Sequence, residues 1–101
     1  MHATLHLPGA TPRFLTEAEL TSLHIGPSLQ PQNGPALREL LGTDIPVEPL
    51  ANEEGRYAIV VPENAADYDF GRTPSAENDF LRLTGIGLEE PLVGPVLVIE
   101  A

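Results

Sequence analysis

The stretch TDIPVEPLANEEGRYAIVV, residues 43–61, decides the fold. Its last part, RYAIVV, is rich in β-branched and aromatic residues and is the clearest strand of the chain. Its first part alternates, but Pro46 and Pro49 cannot donate to a strand ladder, which places this strand at a sheet edge. The residues ANEEG between the two parts are typical of a turn. We therefore predict a β-hairpin.

A first helix is predicted before this hairpin, from about Glu17 to His24. Thr16 and Glu19 have the spacing of a capping box, in which each side chain accepts a hydrogen bond from the other residue's backbone N–H. Gly26 is suited to end the helix in a left-handed conformation.

Two further helices carry similar start and stop signals. Pro35 and Gly42 bracket the second helix. The third begins with Thr73 or Ser75 as its cap and ends at Gly85. Its predicted inward-facing residues are Phe80, Leu81 and Leu83.

The two ends of the chain are predicted to be strands. MHATLHL, residues 1–7, alternates, so we expect His2, Thr4 and His6 to face away from the core. PVLVIEA, residues 95–101, is apolar throughout and is expected at the sheet centre, covered by helices on one face. The order β-α-α-β-β-α-β indicates an α+β fold, a mixed or antiparallel sheet of about four strands with short helices packed on one face. Residues 1–101 are predicted to form a single small acidic domain.

The net charge of −10 is the strongest compositional feature. Residues 51–101 carry ten acids and three arginines, against five acids and two arginines in residues 1–50. Nucleic acid and anionic lipid repel such a chain, so any charge-selected partner is basic. The chain has no cysteine, no basic leader and no long apolar run, and we expect a soluble, cytoplasmic protein.

The most acidic stretch is PENAADYDFGRTPSAENDF, residues 62–80. Asp67 and Asp69 begin like a calcium loop, but Gly71 replaces a ligand and the twelfth position is Asn78, so no calcium site is predicted. Paired carboxylates for acid–base catalysis need one buried member, which these turn residues do not predict. Two interpretations remain open: a solvated charged surface, or a recognition surface whose charge equals that of about 17 Å of DNA duplex.

No metal, cofactor or catalytic site is predicted from the other polar residues. His2 and His6 share a strand face but are separated by roughly 13 Å, too far for one metal ion. The serines, Ser75 among them, lie at helix or turn positions outside any G-x-S-x-G elbow.

Four segments together resemble a known family: LRELLGTDIPVEPL (37–50), NEEGRYAIVVPENAA (52–66), LVGPVLVIEA (92–101) and ATLHLPG (3–9). The family consists of small accessory proteins of unknown function encoded on bacterial plasmids and phages. The resemblance covers about half the chain, segment 67–91 departs from it, and it implies no site residues. It does imply a mobile-element setting, in which small acidic proteins often inhibit or redirect a host protein.

These observations favour a non-enzymatic acidic inhibitor that occupies a basic surface of a host protein, such as a nucleic-acid-binding or defence enzyme. Acidic side chains would steer the partner, and Tyr68 or Phe70 would anchor it. The predicted partner-binding residues are Glu53, Glu54, Glu63, Asp67, Tyr68, Asp69, Phe70, Glu77 and Asp79. The alternatives are an oligomeric domain that sequesters a small molecule, and an enzyme whose site is assembled only by the fold.

Overall fold

Five strands form one antiparallel sheet with helices on both faces in the computed structural model, which describes residues 1–101. The strands are β1 (His2–His6), β2 (Arg13–Phe14), β3 (Val47–Glu53), β4 (Tyr57–Pro62) and β5 (Val96–Glu100). The helices are α1 (Glu17–Leu23), α2 (Gly34–Leu41) and α3 (Pro74–Thr84), with a 3-10 turn at Ala65–Asp67. The strand order is β2-β1-β5-β4-β3. The predicted α+β class is confirmed, with one strand more than expected.

The predicted hairpin is formed by β3 and β4, which pair antiparallel from Val47 opposite Pro62 to Glu53 opposite Tyr57. A bulge lies between Pro49 and Ala51, and Gly55 adopts a φ of 80° in the turn. The strand β3 is at the edge of the sheet, as its missing backbone donors predict.

Strand β5 lies at the centre of the sheet, between β1 and β4. Its alternate residues enter two different cores, with Leu97 and Ile99 on one face and Val96 and Val98 on the other. The expectation that helices cover one face was therefore wrong. Because β4 and β5 carry apolar side chains on both sides, both faces of the sheet have to be shielded from water.

The two cores use different helices. Leu23 of α1 and Leu37 and Leu41 of α2 pack in the first core. Ala76 and Phe80 of α3 pack in the second. Helix α3 consequently lies over the sheet face that also carries the even-numbered side chains of β1, a placement that forms the site described below.

The helix boundaries follow the capping signals with one exception. The Thr16–Glu19 capping box forms, and Gly42 and Gly85 end α2 and α3 in the left-handed conformation. Helix α1 ends at Leu23, within one residue of the predicted end, but its left-handed cap is His24, with φ 50°, and not Gly26. A turn follows, in which Leu29 N–H donates to Gly26 O and Leu29 has a φ of 64°, and this turn brings Ile25 opposite Pro31 in a short bridge.

One predicted core residue of α3 was also wrong. Leu81 is 53% exposed, whereas Phe80 is buried and Leu83 packs partly against the second core. Consecutive helical residues are about 100° apart around the axis, so Leu81 turns away from the stripe that Ala76, Phe80 and Leu83 form.

The unpredicted strand β2 has only two residues, too few to show periodicity in the sequence. It pairs with β1, with Phe14 opposite Thr4 and Arg13 opposite Leu5.

No helix combines the length and apolar character needed to cross a membrane.

Candidate functional site

The seven acids among the nine predicted partner-binding residues fall into two groups in the structure. Glu53 pairs with Arg56, Glu77 lies 3.7 Å from Arg72, and Asp79 accepts a hydrogen bond from Arg82 at 3.0 Å. These three carboxylates are partly neutralised by arginine. The other four acids, Glu54, Glu63, Asp67 and Asp69, are exposed and form no ion pair.

Three of the unpaired acids lie on one loop, residues 63–69, which follows β4. The loop turns at Asn64, whose φ is 52°, and continues into the 3-10 turn. Tyr68 is 50% exposed between Asp67 and Asp69. We call residues 63–69 the acidic loop.

The two predicted anchor residues have different surroundings. The Tyr68 ring lies 6.0 Å from the Phe70 ring. Phe70 is half-buried and packs over Gly94, so it belongs to the support of the loop. Tyr68 is the aromatic side chain that remains available to a partner.

A shallow groove of about 200 Å³ borders the acidic loop. Apolar side chains from three segments line most of it, among them Leu50, Val61, Ala65, Ala66, Pro91 and Leu92. Glu48 also lines the groove, and Glu63, Asp67 and Glu90 are each next in sequence to a lining residue. The lining of the groove is therefore mostly apolar, with one acidic lining residue and three further exposed acids adjacent to it in sequence.

A second cluster lies on another part of the molecule, where β1 meets α3. The His6 side chain is only 3% exposed, contrary to the expectation that it faces away from the core. Its Nδ1 atom is 2.8 Å from Ser75 Oγ, and its Nε2 atom is 2.9 Å from Asp79 Oδ2. Ser75 and Asp79 are four residues apart on α3 and therefore share one helix face, which holds the imidazole between them.

Arg82 extends this cluster to the last strand. It donates to Asp79 Oδ1 at 3.0 Å and to both carboxylate oxygens of Glu100, at 2.8 and 2.9 Å. These Arg82 hydrogen bonds are the main cause of the lowered pKa of Glu100, and His2, 3.0 Å from Glu100, lowers it further. The Glu100 and Asp79 carboxylates in turn raise the pKa of Arg82.

The cluster borders an open depression of about 410 Å³. Its polar wall is formed by His2, His6, Ser75, Asp79, Arg82 and Glu100. Pro12 and Phe14 also line the depression, and the Phe14 ring meets His2 edge-on with centroids 5.4 Å apart.

This cluster was not predicted, because no member of it stands out in the sequence when taken separately. Its one local signal was Ser75 and Asp79 at helical i, i+4 spacing. No pattern paired either of them with His6, which is 69 residues from Ser75.

The structure contains no group of three or more histidine, aspartate or glutamate side chains arranged to hold a metal ion. Comparison with protein-family models, with curated proteins and with solved structures gives no match. The resemblance to plasmid and phage accessory proteins therefore stays a prediction.

Proposed function

We propose that this protein is an acidic binding protein of a phage or plasmid-like element that occupies a basic surface of a host protein. The observation that carries the proposal is the acidic loop beside an apolar groove. Unpaired carboxylates attract a cationic surface, while Tyr68 and the groove supply the apolar contact that a stable interface needs.

The arginines leave this surface strongly negative. Four of the five arginines pair with carboxylates elsewhere: Arg13 with Glu19, Arg56 with Glu53, Arg72 with Glu77, and Arg82 with Asp79 and Glu100. None of these pairs includes Glu63, Asp67 or Asp69. Because the ten remaining acids of the fifteen have no ion-pair partner, the field around the molecule favours approach of a basic protein.

The acidic loop is also held in a defined position. Thr73 N–H donates to Leu92 O at 2.9 Å, and Gly94 N–H donates to Gly71 O at 2.9 Å, so the segment after the loop is tied to the start of β5. A surface that is ordered before binding loses less conformational entropy in the complex. This order supports recognition of one surface over general attraction to any cation.

The test compares two triple variants with equal loss of charge. Glu63→Gln, Asp67→Asn and Asp69→Asn neutralise the acidic loop, and Glu17→Gln, Glu39→Gln and Asp44→Asn neutralise three exposed, unpaired acids near α1 and α2. Wild-type protein is immobilised to capture partners from a host lysate, and each captured partner is then purified and measured by biolayer interferometry. We expect the loop variant to bind at least about tenfold more weakly and the control variant to lose about threefold or less.

The salt dependence of association is the second measurement. Dissolved salt shortens the distance over which charges on two proteins attract each other. The association rate should therefore fall steeply between low and physiological ionic strength. Equal losses in both triple variants, or an association rate independent of salt, would contradict the proposal.

A further inference from the structure

We infer that Ser75 is a nucleophile activated by His6 and positioned by Asp79, and that the depression above it takes small carboxylic esters with an apolar group. The inference is independent of the acidic loop, which lies beside β3 and β4, and it takes up the alternative of an enzyme whose site only the fold assembles. It rests on three side chains that line an open depression, with His6 hydrogen-bonded to Ser75 on one side and to Asp79 on the other.

The hydrogen bonds fix the direction of proton transfer. An ionised carboxylate only accepts hydrogen bonds, so Asp79 requires the proton of the neutral imidazole to be on Nε2. The Nδ1 atom is then an acceptor, and the Ser75 hydroxyl donates to it at 2.8 Å. A serine whose hydroxyl donates to a histidine that is itself oriented by a carboxylate is the arrangement that generates a serine nucleophile.

The base is buried and the nucleophile is accessible, as a serine nucleophile requires. His6 is enclosed, with 3% of its side chain exposed, and a low-exposure base keeps its orientation. Ser75 is half-buried and lines the depression, so a ligand can approach its hydroxyl. Arg82 donates to Asp79 and fixes the carboxylate that orients the imidazole.

The start of α3 places a hydrogen-bond donor beside the nucleophile. Ser75 is the second residue of this 11-residue helix. The hydroxyl of Thr73, at the capping position, donates to Gly94 O and does not accept from the first helical turn. The backbone N–H of Ser75 itself has no acceptor within the protein, and the nucleophile's own N–H is one of the groups that stabilise an oxyanion in serine hydrolases.

The chemistry balances with water as the only co-reactant. Ser75 Oγ attacks the ester carbonyl carbon while its proton moves to His6 Nδ1, and we assign the unpaired Ser75 N–H as the donor to the developing oxyanion. The bond from carbonyl carbon to alkoxide oxygen then breaks, and the alcohol leaves with the proton from His6. Water, deprotonated by His6, attacks the acyl carbon, the bond from that carbon to Ser75 Oγ breaks, and His6 returns the proton to Oγ as the carboxylic acid leaves. Pro12 and Phe14 are positioned to contact the apolar group of the ester.

The experiment is covalent labelling with an alkyl fluorophosphonate, followed by intact mass and peptide mapping. The reaction forms a bond from Ser75 Oγ to phosphorus, breaks the phosphorus–fluorine bond and releases fluoride, with the serine proton taken by His6. We expect one adduct, on Ser75, and none in Ser75→Ala. Wild-type protein should also hydrolyse p-nitrophenyl acetate, and Ser75→Ala should not. Ser22→Ala is the matched control, because Ser22 is a helical serine that donates only to Glu19 O, and it should label like wild type.

Two further variants distinguish a role of His6 and Asp79 in activating Ser75 from a purely structural role. His6→Gln should slow labelling by at least about a hundredfold, and Asp79→Asn by about 10²–10⁴-fold, because the amide no longer selects the required tautomer. Circular dichroism and thermal unfolding are recorded for every variant, and the pH dependence of labelling is compared between wild type and Asp79→Asn. A folded wild-type protein that gives no Ser75 adduct, or equal labelling of Ser22 and Ser75, would overturn the inference and leave the cluster as a clasp between β1 and α3.

Discussion

The ring of Phe70 lies directly over Gly94, so close that a Cβ atom added to the glycine would be 2.9 Å from Phe70 Cδ2. Gly94 also has a φ of 80°, a conformation that side-chain-bearing residues rarely adopt. This contact packs the residue that directly follows the acidic loop against the segment that leads into β5. The position of the loop thus depends on a residue that has no side chain.

Gly94→Ala should destabilise the protein by about 1–3 kcal/mol, because both the backbone conformation and the Phe70 ring oppose a Cβ atom. Urea unfolding followed by circular dichroism measures the change. Gly87→Ala is the matched control, since a Cβ atom there would meet nothing within 4 Å and the φ is not left-handed. Equal stability of the two variants would show that Phe70 does not pack on Gly94 as described.

Tyr68 and Phe70 should respond differently to truncation. Phe70→Ala removes a half-buried ring and should lower the free energy of unfolding by about 1–3 kcal/mol. Tyr68→Ala should change it by less than about 0.5 kcal/mol, because Tyr68 is 50% exposed, yet it should weaken binding of a captured partner. Urea unfolding and interferometry together test this separation. An unchanged partner affinity in Tyr68→Ala would exclude it as an anchor.

Thr73 is buried, and its hydroxyl donates to Gly94 O. Thr73→Val keeps the shape of the side chain but leaves that carbonyl without this donor. We expect the free energy of unfolding to fall by about 1–3 kcal/mol. Thr73→Ser retains the hydroxyl, so its free energy of unfolding should fall by less. Thermal and urea unfolding of the two variants give the comparison, and a Val variant as stable as the Ser variant would contradict a role for the hydrogen bond.

Acid should remove the stabilisation contributed by two paired glutamates. The hydrogen bond from Arg13 is the main cause that lowers the pKa of Glu19 from about 4.5 to about 2, and Arg82 lowers the pKa of Glu100. A carboxyl group whose pKa is lower in the folded state stabilises that state fully above its unfolded pKa. Its contribution is then lost as the pH falls through the folded value.

Glu100→Gln should therefore lower the free energy of unfolding by about 1–2 kcal/mol at pH 7. The difference from wild type should shrink as the pH falls below the unfolded pKa of about 4.5. Glu19→Gln should show the same convergence between pH 4.5 and about 2. Urea unfolding at a series of pH values measures both, with Glu17→Gln, an exposed and unpaired residue, as the control. A constant difference across this pH range would contradict the described pairing.

Local signals predicted much of the fold. The Thr16–Glu19 capping box, the glycines that end α2 and α3 and the β3–β4 hairpin are formed by residues close in sequence, and each is present. The left-handed cap at His24 was missed in favour of Gly26, and Leu81 was wrongly placed in the core although it lies about 100° from Phe80 around the helix axis.

The side of the sheet that α3 covers was not predictable from local signals. The alternation of MHATLHL indicates two different faces for Leu5 and His6 but does not say what lies over the second one. Helix α3 covers it, so His6 is buried and meets Ser75 and Asp79. The acidic loop could be located from sequence, whereas its apolar groove is formed by segments that only the folded chain brings together.

The sequence by itself determined the charge, the α+β composition and the ends of most helices, since these depend on composition and on contacts within a few residues. Tertiary structure alone paired Arg82 with Glu100, and it alone placed a histidine of the first strand between a serine and an aspartate of the third helix. The physical reason is distance along the chain. Hydrogen bonds between residues 69 or more positions apart exist only after the sheet has formed and both of its faces have been covered.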